Sequence, residues 1–324
     1  MKPLCIVAII SLACLAALAG CTYSPDRPVP PAVTETATQA PTATAIELAP
    51  TPIASVTHTP VPTITSTATP TLLPTPSDTP PATVTRTASG VRTVRVPILM
   101  YHYVSVPPAD ADKYRLDLSV TPEAFQAQMD YLVSAGYHTV RVADLTAMLL
   151  KGTPLPDKPI VLTFDDGYSD IFNNAYPILK AHGYTGTFFV IVDTLDENRW
   201  GYLNWAQVAE MAESGMEIGS HTMDHLDLSR MSRSRQTEEI TASKEAIESH
   251  IGATVTSFSY PAGKYNAISL AVLQSTGYTG AVTETQGALQ SSSRVYELRR
   301  IRIRGSYTVA DFAHWLKYYM EGSH

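Results

Sequence analysis

The globular part of this 324-residue chain is predicted to be an α/β domain with a parallel sheet, closed or distorted into a β/α barrel. Three observations predict it. Short apolar, β-branched runs recur from residue 97 onward, amphipathic helical stretches separate them, and the repeats are too many for a small open sheet. The first 90 residues have a different composition and cannot join that core.

The strands are expected at 97–101, 138–142, 159–164, 186–192, 216–220, 256–260, 279–283 and 299–304. Helices are expected at 122–135, 143–150, 170–182, 204–214, 231–250, 266–276 and 308–320. The run Pro159-Ile160-Val161-Leu162 is apolar on both faces, as a strand buried on both sides must be. In such folds the chemistry gathers where the strands end, at their C-terminal rim.

Two strings stand at strand ends. Thr163-Phe164-Asp165-Asp166-Gly167 follows the 159–164 strand, and Ser220-His221-Thr222-Met223-Asp224-His225 follows the 216–220 strand. Together they offer two carboxylates and two imidazoles. A hydrolytic metal centre needs a few protein ligands of mixed histidine and carboxylate type, with positions left open. A second carboxylate beside the ligand set can then serve as a base. Asp165 and Asp166 can divide these roles if the chain turns sharply at Gly167. His221 and His225 are four apart, a spacing that a helical turn would place on one face. Each string alone has an ordinary explanation: Asp-Asp-Gly is common in turns and His-x-x-x-His on solvated helix faces. Their joint position after strands favours the site.

These residues resemble the polysaccharide deacetylases, the NodB-like carbohydrate esterases, over about residues 95 to 305. The resemblance implies a distorted seven-stranded barrel, Asp165 as catalytic base, Asp166 as metal ligand, and His221 and His225 as histidine ligands. Pro97 to His102 and the stretch from Phe125 through Gly136 to Tyr137 are similar to the surface-polysaccharide branch. The family's R-P-P-Y-G string is matched only in part by Ser259-Tyr260-Pro261-Ala262-Gly263. Pro261 and Gly263 are kept, which places the Ala262 N–H where the family has its oxyanion donor. The arginine is replaced by Ser259, and Arg300, in the run from Arg299 to Arg304, is the candidate to orient Asp165 in its stead. The family's late Leu-x-His acid is missing. His102, at the end of the first strand, is the candidate proton donor, with a hydrogen-bonded bystander as the equal alternative. Trp205 and Tyr260 are candidates for a sugar-stacking wall, and Trp205 serves helix packing equally well.

The function implied is a metal-dependent removal of N-acetyl groups from N-acetylglucosamine-type units of a polysaccharide. The alternatives are an O-acetyl, xylan-type esterase and a catalytically weakened glycan-binding module. One divalent ion is implied, zinc first, with cobalt, nickel or manganese as alternatives. A net charge of -7 and the alternation of the Arg299–Arg304 run speak against nucleic acid, and no protein partner is predicted.

Residues 1–20 read as a lipoprotein signal: Lys2, an apolar run from Leu4 to Leu18, then Leu18-Ala19-Gly20-Cys21, which resembles a bacterial lipobox. The apolar run is short for a membrane span. Cleavage before a lipidated Cys21 would anchor the protein at the outer face of the cytoplasmic membrane or at the cell surface. The chain has three cysteines, Cys5, Cys14 and Cys21, so neither disulfide nor thiolate chemistry is open to the globular part. Residues 21–90 read as a tether. Thr and Pro fill 33 of the 69 positions from 22 to 90, with Tyr23 the sole aromatic, so no core can form there. The catalytic domain is assigned to 91–324.

Overall fold

The computed structural model describes residues 84–87 and 90–322. The expected signal segment, Cys21 and almost all of the tether lie outside the described residues. The strands in chain order are β1 (Thr85–Arg86), β2 (Arg92–Arg95), β3 (Ile98–Tyr101), β4 (Tyr103–Val104), β5 (Ser119–Val120), β6 (His138–Val140), β7 (Pro159–Phe164), β8 (Thr187–Val190), β9 (Glu217–Ser220), β10 (Ser257–Ser259), β11 (Gly280–Gln286), β12 (Leu289–Ser291) and β13 (Leu298–Arg302). The helices are α1 (Lys113–Leu118), α2 (Pro122–Ser134), α3 (Val142–Lys151), α4 (Tyr176–Ala181), α5 (Val192–Asp196), α6 (Trp205–Glu213), α7 (Arg233–Ile251), α8 (Ala267–Ser275) and α9 (Val309–Glu321).

Seven parallel strands close on themselves in the order β3-β7-β8-β9-β10-β11-β13, and β13 returns to β3. The barrel is distorted at one seam. Val161 of β7 faces Ile98 of β3 on one edge and Val140 of β6 on the other, while Thr163 and Phe164 pair with β8. The short β6 and β8 thus share one edge of β7. A small antiparallel sheet, β1-β2-β12, accompanies the barrel. Thr85 and Arg86, expected within the tether, pair with Thr93 and Arg92, so ordered backbone begins before residue 91.

Local sequence explains the boundaries. Thr121 caps α2 through its hydroxyl, with Pro122 in the first turn, where its missing N–H costs nothing. Asn204 with Gln207 and Thr308 with Asp311 form capping boxes at α6 and α9. The stretch expected as one helix over 170–182 opens as a π-turn, Ile171–Ala175, before α4. Along β3, β7 and β8 the side chains alternate. Leu99, Tyr101, Leu162, Phe164, Phe188 and Val190 belong to the large outer core, with Phe164 stacked on Phe188 at 4.7 Å. Ile98, Val161 and Phe189 join a second cluster with Val282, Leu298 and α3 residues Val142, Leu145 and Leu149. Gly219 in β9 is required there: a Cβ would stand 2.6 Å from the Phe189 ring and 2.9 Å from the Ser257 carbonyl.

Candidate metal and catalytic site

The site forms where β7, β9 and β10 end. Past Phe164 the chain leaves β7, and Asp166 and Gly167 take left-handed backbone at φ 72 and 76. Asp165 and Asp166 are both buried, at 2% and 8% exposure. Asp166 carries the strain of positive φ because it is not glycine. Among the described residues six non-glycine positions have positive φ, and four of them, Asp166, Thr222, His225 and Ala262, lie in the segments that build the site.

His221 and His225 do not share a helical turn. The segment after β9 is irregular, with Thr222 at φ 71 and His225 at φ 58. The four-residue spacing therefore works through a tight loop. That loop is held at several points: the His225 N–H donates to Thr222 Oγ1 at 2.9 Å, and the Val192 and Asp193 N–H groups donate to the Thr222 and Met223 carbonyls. Glu239, fully buried on α7, accepts from the Met223 and Asp224 N–H groups at 3.0 and 3.2 Å, and its other oxygen lies 2.8 Å from Arg235 Nη2. No motif in the sequence announces Glu239, since it comes from mid-helix 14 residues beyond His225.

The three expected ligands converge. Asp166 Oδ1 lies 3.3 Å from His221 Nε2 and 3.4 Å from His225 Nε2, and one donor atom from each of the three lies within 4.8 Å of the others. Two donors about 2.0–2.1 Å from one tetrahedral ion stand roughly 3.3 Å apart, so these separations fit a single zinc-like ion. The tautomer fits as well. His221 Nδ1 donates to the Ser259 carbonyl at 2.7 Å, which leaves Nε2 with its lone pair toward Asp166. Burial by itself would raise the Asp166 pKa, but His221 hydrogen-bonds it and, with His102 and His225, holds it well below the usual carboxylate range. Burial and the His221 charge push His225 down. In His221 the same burial is outweighed by Asp166 and Asp165, so its pKa is raised.

Asp165 stands beside this set without joining it. Arg300, fully buried in the barrel, grips it with both arms: Nη1 to Oδ1 at 2.8 Å and Nη2 to Oδ2 at 2.7 Å. Arg300 also donates from Nε to the Thr283 carbonyl and from Nη1 to Thr163 Oγ1, and its Nη2 lies 3.3 Å from Ser259 Oγ. The guanidinium thus occupies the space beside Ser259 and meets the carboxylate from β13. Burial would raise the Asp165 pKa, yet the Arg300 charge and hydrogen bonds bring it below the ordinary value. Because Tyr101 pairs with Phe164 and accepts from the Asp165 N–H, His102 emerges next to both carboxylates. Burial lowers the His102 pKa, and Asp165 and Asp166 only partly restore it.

Two candidates do not reach the site. Trp205 lies flat on His250, ring centroids 3.8 Å apart, and donates to Asp196, so it packs α6 against α7. Tyr260 is 1% exposed, stacks on Tyr265 and donates to the Tyr296 carbonyl, so its ring supports the turn from below. In that turn Pro261 is buried and Ala262 is exposed at φ 49. Gly263 has φ 64, and a Cβ there would stand 3.1 Å from Glu284. The aromatics that do line the cleft beside Asp166 and His225 are Tyr168 and Tyr202.

The sequence profile described as polysaccharide deacetylase matches residues 152–281, which span β7 to β11. A putative polysaccharide deacetylase, YxkH of Bacillus subtilis (strain 168), is 34% identical over 220 residues, covering 67% of this chain and 75% of that protein. The chain belongs to the polysaccharide deacetylase family. The Streptococcus pyogenes deacetylase PplD, solved with acetate, superposes with a TM-score of 0.64 at 30% identity, covering 69% of this chain and 98% of that one. The poly-beta-1,6-N-acetyl-D-glucosamine N-deacetylase of Escherichia coli (strain K12) is 27% identical over 237 residues, which are 60% of this chain and 35% of that protein. This deacetylase is a hydrolase of the same barrel fold as its relatives.

Proposed function

We propose that this deacetylase removes N-acetyl groups from N-acetylglucosamine-type units of a polysaccharide, using one divalent ion, zinc first, held by Asp166, His221 and His225. The single observation that carries the reading is the pair of 3.3 and 3.4 Å separations between Asp166 Oδ1 and the two Nε2 atoms. The N-acetylglucosamine choice draws on the relatives named as poly-beta-1,6-N-acetyl-D-glucosamine N-deacetylases in Escherichia coli and Staphylococcus aureus.

Such an ion, when bound, supplies Lewis-acid polarisation and a lowered water pKa. Asp165, kept ionised and fixed in orientation by Arg300, accepts the proton of the attacking water on a lone pair left free by the guanidinium. The Ala262 N–H donates to the oxygen on which charge develops. His102 gives a proton to the departing nitrogen, so that the C–N bond breaks to acetate and a free amine. His102→Ala is expected to slow amide hydrolysis far more than hydrolysis of an activated aryl acetate; equal losses with weakened metal binding would assign it a supporting role instead. A binding module without catalysis is disfavoured by Arg300, which occupies the position that Ser259 leaves open.

Acetate release from β-1,6-linked N-acetylglucosamine oligomers, peptidoglycan fragments and acetylated xylan tests the assignment. Release from an N-acetylated glycan, abolished by chelator and restored by a divalent ion, is expected. Release from acetylxylan alone would replace it with the O-acetyl esterase. For location we propose lipid anchoring at Cys21 and transport across the cytoplasmic membrane, supported by Leu18-Ala19-Gly20-Cys21 and the Thr/Pro-rich stretch that follows. Cys21→Ser is expected to shift the protein out of the detergent phase on partitioning, and unchanged partitioning would remove the anchor.

A further inference from the structure

Beside the pocket of about 240 Å³ that contains Asp166 and His225, a second cavity of about 590 Å³ opens. The two share Tyr168 and Tyr202 as a common wall, and these residues are also bridged by their backbones. A volume of this size lies within the range of small-ligand pockets. Its lining has three features that belong to no step of the deacetylation.

The first is a row of aromatic rings. Tyr103 stacks on Tyr168 at 3.8 Å, Tyr168 lies 5.0 Å from Tyr202, and the Arg115 guanidinium sits 3.1 Å above the Tyr103 ring. The second is Trp200, which lines the cavity yet is 97% exposed. A side chain of that size packs nothing in the fold, so its apolar faces remain available to a ligand. The third is a polar relay. Arg115 Nη2 donates to Ser105 Oγ at 3.0 Å, and Ser105 Oγ donates to Asp170 Oδ2. Arg115, Ser105 and Asp170 all line the cavity. A guanidinium and a carboxylate on one cavity wall offer a polar ligand both hydrogen-bond donors and acceptors.

We propose that this cavity is a subsite for the sugar ring next to the one whose acetyl group is hydrolysed. Resting on the glycan deacetylase reading, it extends that site along the polymer. A pyranose combines apolar C–H faces, which lie against aromatic rings, with hydroxyls that can accept from Arg115 and donate to Asp170. An isolated acetyl ester would use neither. Trp200 and Arg115 therefore set the preference for a polymer over a short substrate.

The test compares Trp200→Ala with the parent enzyme on a pentamer of β-1,6-linked N-acetylglucosamine and on an aryl acetate. Trp200 supports no other side chain, so loss of folding is not expected. The expected result is a KM for the pentamer raised about tenfold with kcat little changed, and unaltered aryl acetate hydrolysis. Asp170→Asn is expected to move the same KM in the same direction, with rescue of neither variant by added divalent ion. An unchanged pentamer KM in Trp200→Ala, or equal losses on both substrates, would overturn the subsite. If the parent enzyme releases acetate only from acetylated xylan, the N-acetyl reading fails. The same comparison of acetylxylan oligomers with aryl acetate then decides the subsite independently.

Discussion

The barrel holds a carboxylate near each of its ends, Asp165 buried and Glu217 half-buried, and the two are treated in opposite ways. At the C-terminal rim Asp165 faces a full positive charge, Arg300, which holds it ionised. At the start of β9, Glu217 is contacted by the neutral hydroxyls of Thr187 and Ser257, at 2.7 and 2.6 Å, and by the Ala143 N–H at 3.2 Å. Burial therefore wins at Glu217, and its pKa is raised. One strand carries both environments: β9 begins with Glu217 and delivers His221 just beyond its last residue. Strained non-glycine backbone is concentrated at the rim, although Lys158, just before β7, also has positive φ. Four positive-φ residues crowd the rim segments, where the gain is a convergent set of donor atoms.

The comparison predicts that rim substitutions abolish function and that floor substitutions touch only stability. The largest effect is expected from His221→Ala and His225→Ala: each should lose the bound ion, measured by elemental analysis, with acetate release falling to background. Full ion content in both variants would dissolve the proposed ligand set.

Asp165→Asn comes next. It should retain the ion while losing a factor of about 10²–10⁴ in rate, the usual size of a removed general base. It also leaves Arg300 buried and uncompensated, at a cost of roughly 3–5 kcal/mol in unfolding free energy. The pH dependence of the parent follows from the sign of the shift. Because Asp165 is depressed in the folded state, its contribution is present above the ordinary carboxylate range and is lost as pH falls through the lowered value. Ion loss from Asp165→Asn would show that the two aspartates have exchanged roles.

Glu239→Gln sharpens the boundary of the rim. It replaces the carboxylate that holds the Met223 and Asp224 N–H groups and so loosens the loop carrying His225. Metal affinity is expected to fall by about 10–100-fold, the usual consequence of losing a ligand's support. Metal titration that matches the parent while stability falls would confine Glu239 to structure.

The smallest effect belongs to the floor. Glu217→Gln keeps an acceptor for Ala143 and Thr187 and offers Ser257 a donor. Glu217 has a raised folded pKa, so its favourable contribution exists below the ordinary Glu range and is lost as pH rises through the folded value. The variant should therefore gain up to about 1 kcal/mol over the parent near pH 8, with the gain vanishing in acid, and keep full activity. Thermal melts across that pH range read the difference. A loss of activity would break the division between the two ends.

Much of this was legible from residue order. The barrel strands appear within a few residues of their expected bounds, because strands buried on both faces are written as apolar runs between glycines, caps and turns. Asp165, Asp166, His221 and His225 follow strand ends, and the closure of a parallel barrel gathers strand ends onto one rim. What residue order could not decide was the geometry of contacts between distant segments. His221 and His225 read as a helical pair, yet a left-handed loop supported by Glu239 presents them, and backbone sign at Thr222 leaves no trace in spacing. Trp205 and Tyr260 were candidates for sugar platforms because packing cannot be read from identity: Trp205 is committed to His250 and Tyr260 is buried. Arg300 was a candidate among neighbouring arginines. Only the register of β13 against β11 and β3 turns this one into the lumen, 2.7 Å from a carboxylate 135 residues earlier. Alternation assigns a side chain to a face, and the tertiary fold decides what that face meets.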